Sequence, residues 1–266
     1  MTVETKNDLT WWGKFKLEIE NNKEWHVGPL KLIVRRLNNE WQIAHESKDD
    51  FDSLDFSWEI KDTEEQLVSC SNNSRYILHD TTGELIVIPR LADRSIVSRP
   101  HMPFNLAANE EIVLYVSSPL WIDLEVGTTH LKSLAIQRLS DTWFGPSTLE
   151  GDFCYASTTH CRLNYEDLPK RSHKAITPVL IKNRSETTLL LERLNLPIPL
   201  LPLYKSLSGQ LWTPQITLIR EKDGDMAELK VDNVPPTEIG TVELVSEARD
   251  KTKDNILFRA FNTVFN

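Results

Sequence analysis

The chain has 266 residues, of which 40% are hydrophobic and 26% are charged, a composition typical of a folded globular protein rather than a disordered one. Its net charge of −9 argues against a nucleic-acid partner, because binding to phosphate backbones depends on clustered Lys and Arg. No stretch approaches the roughly 18 consecutive apolar residues that a membrane-spanning helix needs, so we expect a protein that does not span a membrane.

The cysteines and the first residues favour a cytoplasmic location. Cys70, Cys154 and Cys161 are odd in number and sparse for this length, unlike the dense, even set of a disulfide framework. Residues 1–6 contain no apolar core of a secretory signal. We therefore expect the chain to work in a reducing cytoplasm.

Alternation of apolar and polar residues with a period of two dominates the first half of the chain. Such alternation predicts β-strands with one face in water, and it is clearest at residues 12–20, 40–45 and 54–60. The runs 85–88, 112–116 and 120–126 are more continuously apolar and predict central strands. Pro119 is expected to separate the last two runs.

The second half continues in the same style. Strands are predicted at residues 179–181, 188–191 and 216–219, and a strand pair is predicted from 153–156 and 161–165 around the turn 157–159. The proline-rich segment 196–202 cannot be a central strand, since each proline lacks a ladder donor, and is predicted to be an extended connection.

Only the C-terminus predicts a helix. Asp254 is a favourable N-cap. Apolar residues then recur at helical spacing, at Leu257, Phe258, Phe261, Val264 and Phe265. A helix of about three turns is too short to be stable alone in water. It must therefore dock on its own sheet or on a partner, and Phe258, Phe261 and Phe265 are the candidates for partner contact.

Together these patterns predict an all-β, β-sandwich-like fold. It would consist of two packed antiparallel β units and a short C-terminal helix. The predicted limits are residues 1–130 for the first β-sandwich-like domain, 131–250 for the second and 251–266 for the amphipathic helix.

Several short motifs resemble a known family. They are Arg99-Pro100 and the segments 111–121, 142–147, 151–155, 175–179 and 193–197. With these residues the chain resembles the domain-of-unknown-function 432 family over residues 85–220, whereas residues 1–80 carry no motif of that family. The resemblance implies a β-rich protein without assigned activity or catalytic residues. Genes of the family often lie beside genes for small mechanosensitive channels, so the resemblance also implies a link to a membrane-channel system.

Fingerprints of common enzyme classes do not occur in the sequence. It contains neither Gly-x-Gly-x-x-Gly nor Gly-x4-Gly-Lys-Ser/Thr, the loops that hold nucleotide phosphates, and no Gly-x-Ser-x-Gly nucleophile elbow. We therefore predict a non-enzymatic protein without a cofactor. An unrecognised metal-dependent hydrolase stays open as an alternative.

The sharpest metal hypothesis concerns Cys154, His160, Cys161 and His173. Cys154 and His160 could face each other across the predicted hairpin. Structural zinc sites usually contain a close pair such as Cys-x2-Cys, which this set lacks, and strand cysteines are more often small buried hydrophobes. We therefore assign no metal site, and the sequence leaves open whether these four residues form one.

The eight tryptophans are the one unusual count in the composition. Aromatic side chains on a β-sheet can stack on sugars or anchor a protein partner. Trp143 and Phe144 precede a Gly-Pro turn that could present them to a ligand, and Trp121 and Arg99 are further candidates. We expect an interaction or regulatory protein, with carbohydrate binding as the alternative and a homodimer as the default oligomeric state.

Overall fold

The structure, a computed structural model, describes residues 10–48, 58–64, 72–78, 82–100, 102–147, 149–159, 161–251 and 256–261. Within these ranges the only helices are three-residue 3-10 turns, at Tyr165–Asp167, Ile198–Leu200 and Thr237–Ile239. The strands in chain order are β1 (Gly13–Lys16), β2 (Asn22–Val27), β3 (Leu30–Arg36), β4 (Glu40–Ser47), β5 (Trp58–Thr63), β6 (Asn72–Ile77), β7 (Glu84–Leu91), β8 (Ile96–Pro100), β9 (Phe104–Leu106), β10 (Glu111–Val126), β11 (Thr129–Ala135), β12 (Ser140–Phe144), β13 (Asp152–Thr159), β14 (Lys174–Asn183), β15 (Leu189–Leu191), β16 (Leu194–Leu196), β17 (Leu203–Ser206), β18 (Leu211–Trp212), β19 (Ile216–Arg220), β20 (Met226–Val231), β21 (Val242–Ser246) and β22 (Ile256–Arg259). The all-β prediction is confirmed, and the sandwich-like packing of the sheets stays a prediction.

The predicted C-terminal helix is wrong where the structure describes it, because residues Ile256–Arg259 form strand β22. This strand pairs antiparallel with β20. The adjoining Ala260 and Phe261 are buried, and the backbone N–H groups of both donate to the carbonyl of Asp225. The backbone of this segment thus forms its hydrogen bonds with a neighbouring strand. A short isolated helix would have to form them within itself.

Pro119 does not separate two strands, as the sequence suggested, but lies inside the single long strand β10. Residues 111–119 pair with β14, and residues 121–126 pair with β11. Pro119 thus stands at the end of one ladder, just before the next begins. A missing backbone donor is tolerated best at such a position.

The chain forms two compact units, each drawn from two chain segments. The first unit takes its described residues from 1–90 and 121–138, and the second from 91–120 and 139–266. Strand β10 therefore contributes residues to both units. The predicted domain limits stay a prediction, because they were placed by sequence pattern along the chain, whereas the two units are defined by contacts between residues.

The first unit contains a five-stranded antiparallel sheet in the order β5-β2-β3-β4-β6. Strand alternation gives this sheet two unlike faces. On one face Trp25 lies opposite Leu32, and both are fully buried. On the other face Asn22 lies opposite Arg35, and polar side chains follow across the neighbouring strands. The remaining strands of the unit include the antiparallel pairs β1–β7 and β10–β11.

The second unit is built around β14, which pairs antiparallel with the first part of β10 and parallel with β18 and β19. A further sheet in the order β12-β13-β8-β16 joins an antiparallel pair to a parallel one. Apolar side chains such as Ile181, Leu218 and Ile96 are fully buried in this unit. The β12–β13 edge of this second sheet carries the residues considered next.

Candidate functional site

The antiparallel pair β12–β13 places two large aromatic side chains side by side on the surface of the second unit. Trp143 lies directly opposite Phe153 in the register. Their side chains are 40% and 50% exposed. Because directly opposed residues project from the same face of a sheet, both rings are exposed on the same face of this strand pair.

The opposite face of the same strands is core. Phe144 is 1% exposed and packs with Val97 and Cys154, although it directly follows Trp143 in the chain. Arg193 lies on this buried side, with its guanidinium carbon 5.3 Å from the centre of the Phe144 ring and Nη2 3.4 Å from the Trp143 carbonyl. Phe144 therefore fixes the strand from inside, and only Trp143 of this predicted pair can contact a ligand.

The loop after β12 is tied down by the Trp143 side chain. Its indole Nε1 donates to the Ser147 carbonyl oxygen at 2.6 Å, and the Ser147 hydroxyl accepts the backbone N–H groups of Leu149 and Glu150. A Cβ on Gly145 would lie 2.2 Å from the Glu150 carbonyl oxygen, so the two limbs of the loop approach closely only because Gly145 has no side chain. This arrangement leaves the Leu149 side chain almost fully exposed.

Arg94 covers the aromatic side chains of β13 from one side. Its guanidinium carbon lies 4.7 Å from the centre of the Phe153 ring and 5.0 Å from that of Tyr155. Nη1 donates to Asp141 Oδ1 at 3.1 Å, and Asp141 lies opposite Tyr155 in the register. The ion pair holds the guanidinium in place, while its remaining N–H groups make no hydrogen bond to any residue that the structure describes.

A groove of about 530 Å³ begins beside these rings. We call it the Phe153 groove; it is lined by Arg94, Ser95, Asp152, Phe153, Pro199, Met226, Leu257, Phe258 and Arg259. Met226 and Arg259 are register partners of β20 and β22. Arg259 Nε lies 2.7 Å from Asp225 Oδ2, so this second arginine is also fixed by a carboxylate.

The groove and the aromatic pair form one connected surface. Phe153 belongs to both, and Arg259 Nη1 comes within 3.0 Å of the position that a Cβ of Gly145 would occupy. Leu257 on the groove wall is 67% exposed. The surface therefore combines an exposed Leu with aromatic, Met and Arg side chains, and the last three are residue types enriched at the centres of protein interfaces.

The remaining predicted site residues lie elsewhere or inside the core. Trp121 is buried in the first unit and has no surface to offer. Arg99 is exposed on β8, where it lies opposite Thr158. Phe258 lines the Phe153 groove, Phe261 is buried, and Phe265 falls outside the described residues. The prediction that Phe258, Phe261 and Phe265 form one partner-binding face assumed a helix, and the described part of this segment is a strand.

Sequence inspection missed the two arginines and Phe153 as site residues. Residues 151–155 carried a family motif, but nothing in the sequence indicated that Phe153 would pair with Trp143. The only available signal was the alternation around Phe153 and Tyr155, which places both on one strand face.

The cysteines that the sequence raised as metal candidates lie in surroundings that disfavour thiolate. Burial raises the pKa of both Cys154 and Cys161 to about 11. Cys154 Sγ instead donates weakly towards Asn195 Oδ1 at 3.9 Å. The predicted hairpin around residues 157–159 is wrong, because β13 continues to Thr159. His160 is outside the described residues, and His173 is fully buried.

The described residues form neither a metal-binding cluster nor a membrane-spanning helix. No three His, Cys, Asp or Glu side chains of the described residues come together in a group that could hold a metal ion. None of the helices found in these ranges has the length and apolar character that crossing a lipid bilayer requires.

Comparison with known proteins identifies a family and nothing finer. No curated protein and no solved structure matches the chain. A family model described as "Protein of unknown function (DUF432)" matches residues 11–266, so the match extends well beyond the residues 85–220 that the motifs covered. The chain therefore belongs to this family of proteins of unknown function, the DUF432 family.

Proposed function

We propose that the chain is a non-enzymatic interaction protein whose Phe153 groove binds an extended segment of a partner protein. The observation that carries this proposal is the continuity of exposed apolar surface with two fixed arginines. Trp143, Phe153 and Leu257 are three of the twelve large hydrophobic side chains exposed in the described residues, and all three belong to this one surface.

The composition of the groove indicates what its partner should offer. An aliphatic or aromatic side chain of the partner would bury its apolar area against Phe153, Leu257 and Met226. Acceptor groups of the partner, whether backbone carbonyls or carboxylates, would take the unused N–H groups of Arg94 and Arg259. Because both guanidiniums are already held by aspartates, the partner need not pay for ordering them.

The same geometry favours a protein partner over a carbohydrate. A sugar ring stacks on an open aromatic face, and Arg94 already occupies one face of Phe153 and of Tyr155. Carbohydrate binding through Trp143 alone stays the alternative. It predicts that a glycan array, and not a peptide library, yields ligands that depend on Trp143.

Peptide display on the purified full chain tests the proposal. We expect a random library to yield peptides that share an apolar anchor residue next to a carboxylate or next to backbone carbonyl groups that are free to accept hydrogen bonds. Phe153→Ser should weaken binding of these peptides about tenfold or more, because central aromatic contacts contribute about 2 kcal/mol or more. Leu207→Ser is the matched control, since Leu207 is 84% exposed and lies outside the groove.

Two results would overturn the proposal. One is a library that yields no shared motif. The other is a motif whose affinity is the same for the wild-type chain and for Phe153→Ser.

The partner itself is a second step of the proposal. The family resemblance implies a link to a mechanosensitive channel in a membrane, and we propose that the chain binds it from the cytoplasm. A host channel in mild detergent is therefore the first candidate to test. We expect it to bind the purified wild-type chain and Leu207→Ser equally, and to lose binding with Phe153→Ser. Equal binding of all three would place the channel contact outside the Phe153 groove.

A further inference from the structure

The first unit contains a second, chemically different concavity on the polar face of its five-stranded sheet. This cleft has a volume of about 1010 Å³ and no aromatic residue among its lining side chains in the described part of the chain. Successive register partners cross all five strands in one row: Thr63, Asn22, Arg35, Gln42 and Arg75. With strands about 4.8 Å apart, this row is about 19 Å long, and Arg35 stands at its centre.

Arg35 is the unusual member of this row. Its Nε is buried, and neither a hydrogen bond nor an ion pair of its guanidinium is found among the described residues. Its row neighbours Asn22 and Gln42 are uncharged. Arg75, by contrast, binds Glu40 through two hydrogen bonds of 2.5 and 2.7 Å, so its charge is compensated within the protein. A buried donor without a partner among the described residues calls for an explanation, and a bound ligand that supplies an acceptor is one such explanation.

The cleft also carries the opposite charge. Glu64 follows Thr63 at the β5 end of the row, whereas Glu20 lies beside β3, where its backbone N–H donates to the Arg36 carbonyl. Both glutamates are exposed and form no ion pair with any described residue. The third carboxylate of the lining, Asp62, is already bound by Lys23 Nζ at 2.6 Å. Among the described residues, the uncompensated charges of the cleft are therefore one central cation, Arg35, and two carboxylates, of which Glu64 lies at the β5 end of the row.

We propose that this cleft binds a small organic zwitterion that carries a carboxylate and an ammonium group several bonds apart. The carboxylate would take the guanidinium of Arg35, whose planar fork matches carboxylate geometry. The ammonium would lie towards Glu64. Since Thr63, which precedes Glu64, is two strands away from Arg35, the charges of the ligand must be separated by more than those of an α-amino acid. An ω-amino acid or a short peptide meets this requirement.

Calorimetric titration of the full chain with matched probes tests this site. The probes are 6-aminohexanoate and triglycine as zwitterions, hexanoate as the carboxylate alone, and hexylamine as the ammonium alone. We expect at least one zwitterion to bind, and to bind about tenfold more tightly than either single-charge probe, because each charge-assisted contact contributes about 1.5 kcal/mol or more.

Variants assign the two charges. Arg35→Gln should abolish measurable binding, whereas Lys31→Gln, on the same face of β3 but outside the cleft lining, should leave it unchanged. A Glu64→Gln variant should bind 6-aminohexanoate no better than hexanoate. The melting temperature of each variant, measured without ligand, shows whether it is folded.

Three results would overturn the proposal. They are no binding of either zwitterion up to roughly 10 mM, equal binding of 6-aminohexanoate and hexanoate by the wild-type chain, and unchanged binding by a folded Arg35→Gln variant. All of these measurements concern the first unit only, so they succeed or fail independently of the Phe153 groove.

Discussion

Replacing Arg220 by Met should destabilise the second unit strongly, although Arg220 contacts neither proposed site. Its side chain is 4% exposed at the end of β19. Nη1 donates to Asn183 Oδ1 at 3.2 Å, to Ser185 Oγ at 3.3 Å and to the Thr187 carbonyl at 3.3 Å. Nη2 lies 3.3 Å from Asp223 Oδ1. One guanidinium thus joins the turn after β14 to the turn after β19.

The size of the loss follows from which partners are buried. Without Arg220, Asn183 Oδ1 stays fully buried and loses its donor, and each buried unsatisfied group costs about 1–3 kcal/mol. Asp223 is 63% exposed, so its ion pair with Arg220 contributes no more than about 1 kcal/mol. We therefore expect Arg220→Met to lower the free energy of unfolding by about 3 kcal/mol, and Asp223→Asn by less than about 1 kcal/mol.

Urea unfolding, followed by circular dichroism and tryptophan fluorescence, measures both variants. Arg220→Met should lower the midpoint of the second unit and leave the first unit unchanged. A loss below about 1 kcal/mol, or an equal loss for Asp223→Asn, would refute the view that buried acceptors rather than the exposed ion pair make Arg220 important.

Three further predictions concern other parts of the fold. Burial lowers the pKa of His45 from 6.5 to about 4, so between these values the unfolded chain binds a proton at His45 that the folded chain does not. The contribution of His45 to stability should be complete above pH 6.5 and fall as the pH drops towards 4. Urea midpoints of His45→Gln should lack this fall. Gly145→Ala should lower the melting temperature and shift the tryptophan emission, since the new Cβ meets the Glu150 carbonyl; an unchanged emission contradicts this. Asp123→Asn should lower the free energy of unfolding, measured in urea, by about 3 kcal/mol, because it removes the buried negative charge opposite Arg90. A loss near zero would show that the charge pair is dispensable.

Much of the fold could be predicted from the sequence, because β-sheets impose a period of two on exposed and buried side chains. The segments 40–45, 85–88 and 112–116 are strands as predicted. Two predictions were wrong, the strand break at Pro119 and the C-terminal helix. A proline can end one ladder inside a continuous strand. A helical apolar spacing is overridden when a neighbouring strand offers backbone partners.

The site was harder to predict, because it depends on which strands become neighbours. Trp143 could be chosen from its own sequence, but Phe144 was assigned to the same surface although adjacent strand residues face opposite ways. Pairing Trp143 with Phe153 requires the register of β12 and β13. The groove also needs Arg94 and Arg259, which are 165 positions apart in the chain and meet only in the folded unit. Arg35 could not be chosen from the sequence. Whether its guanidinium has a partner among the described residues depends on side chains of other strands.

Hydrogen exchange with and without a display-selected peptide tests the central claim most directly, because it locates the bound partner on the folded chain. If the Phe153 groove is the binding surface, the peptide should slow exchange at residues 149–153 and 256–259 and leave β2–β4 unchanged. Slowed exchange elsewhere, with residues 149–153 and 256–259 unaffected, would contradict the assignment of partner binding to this groove.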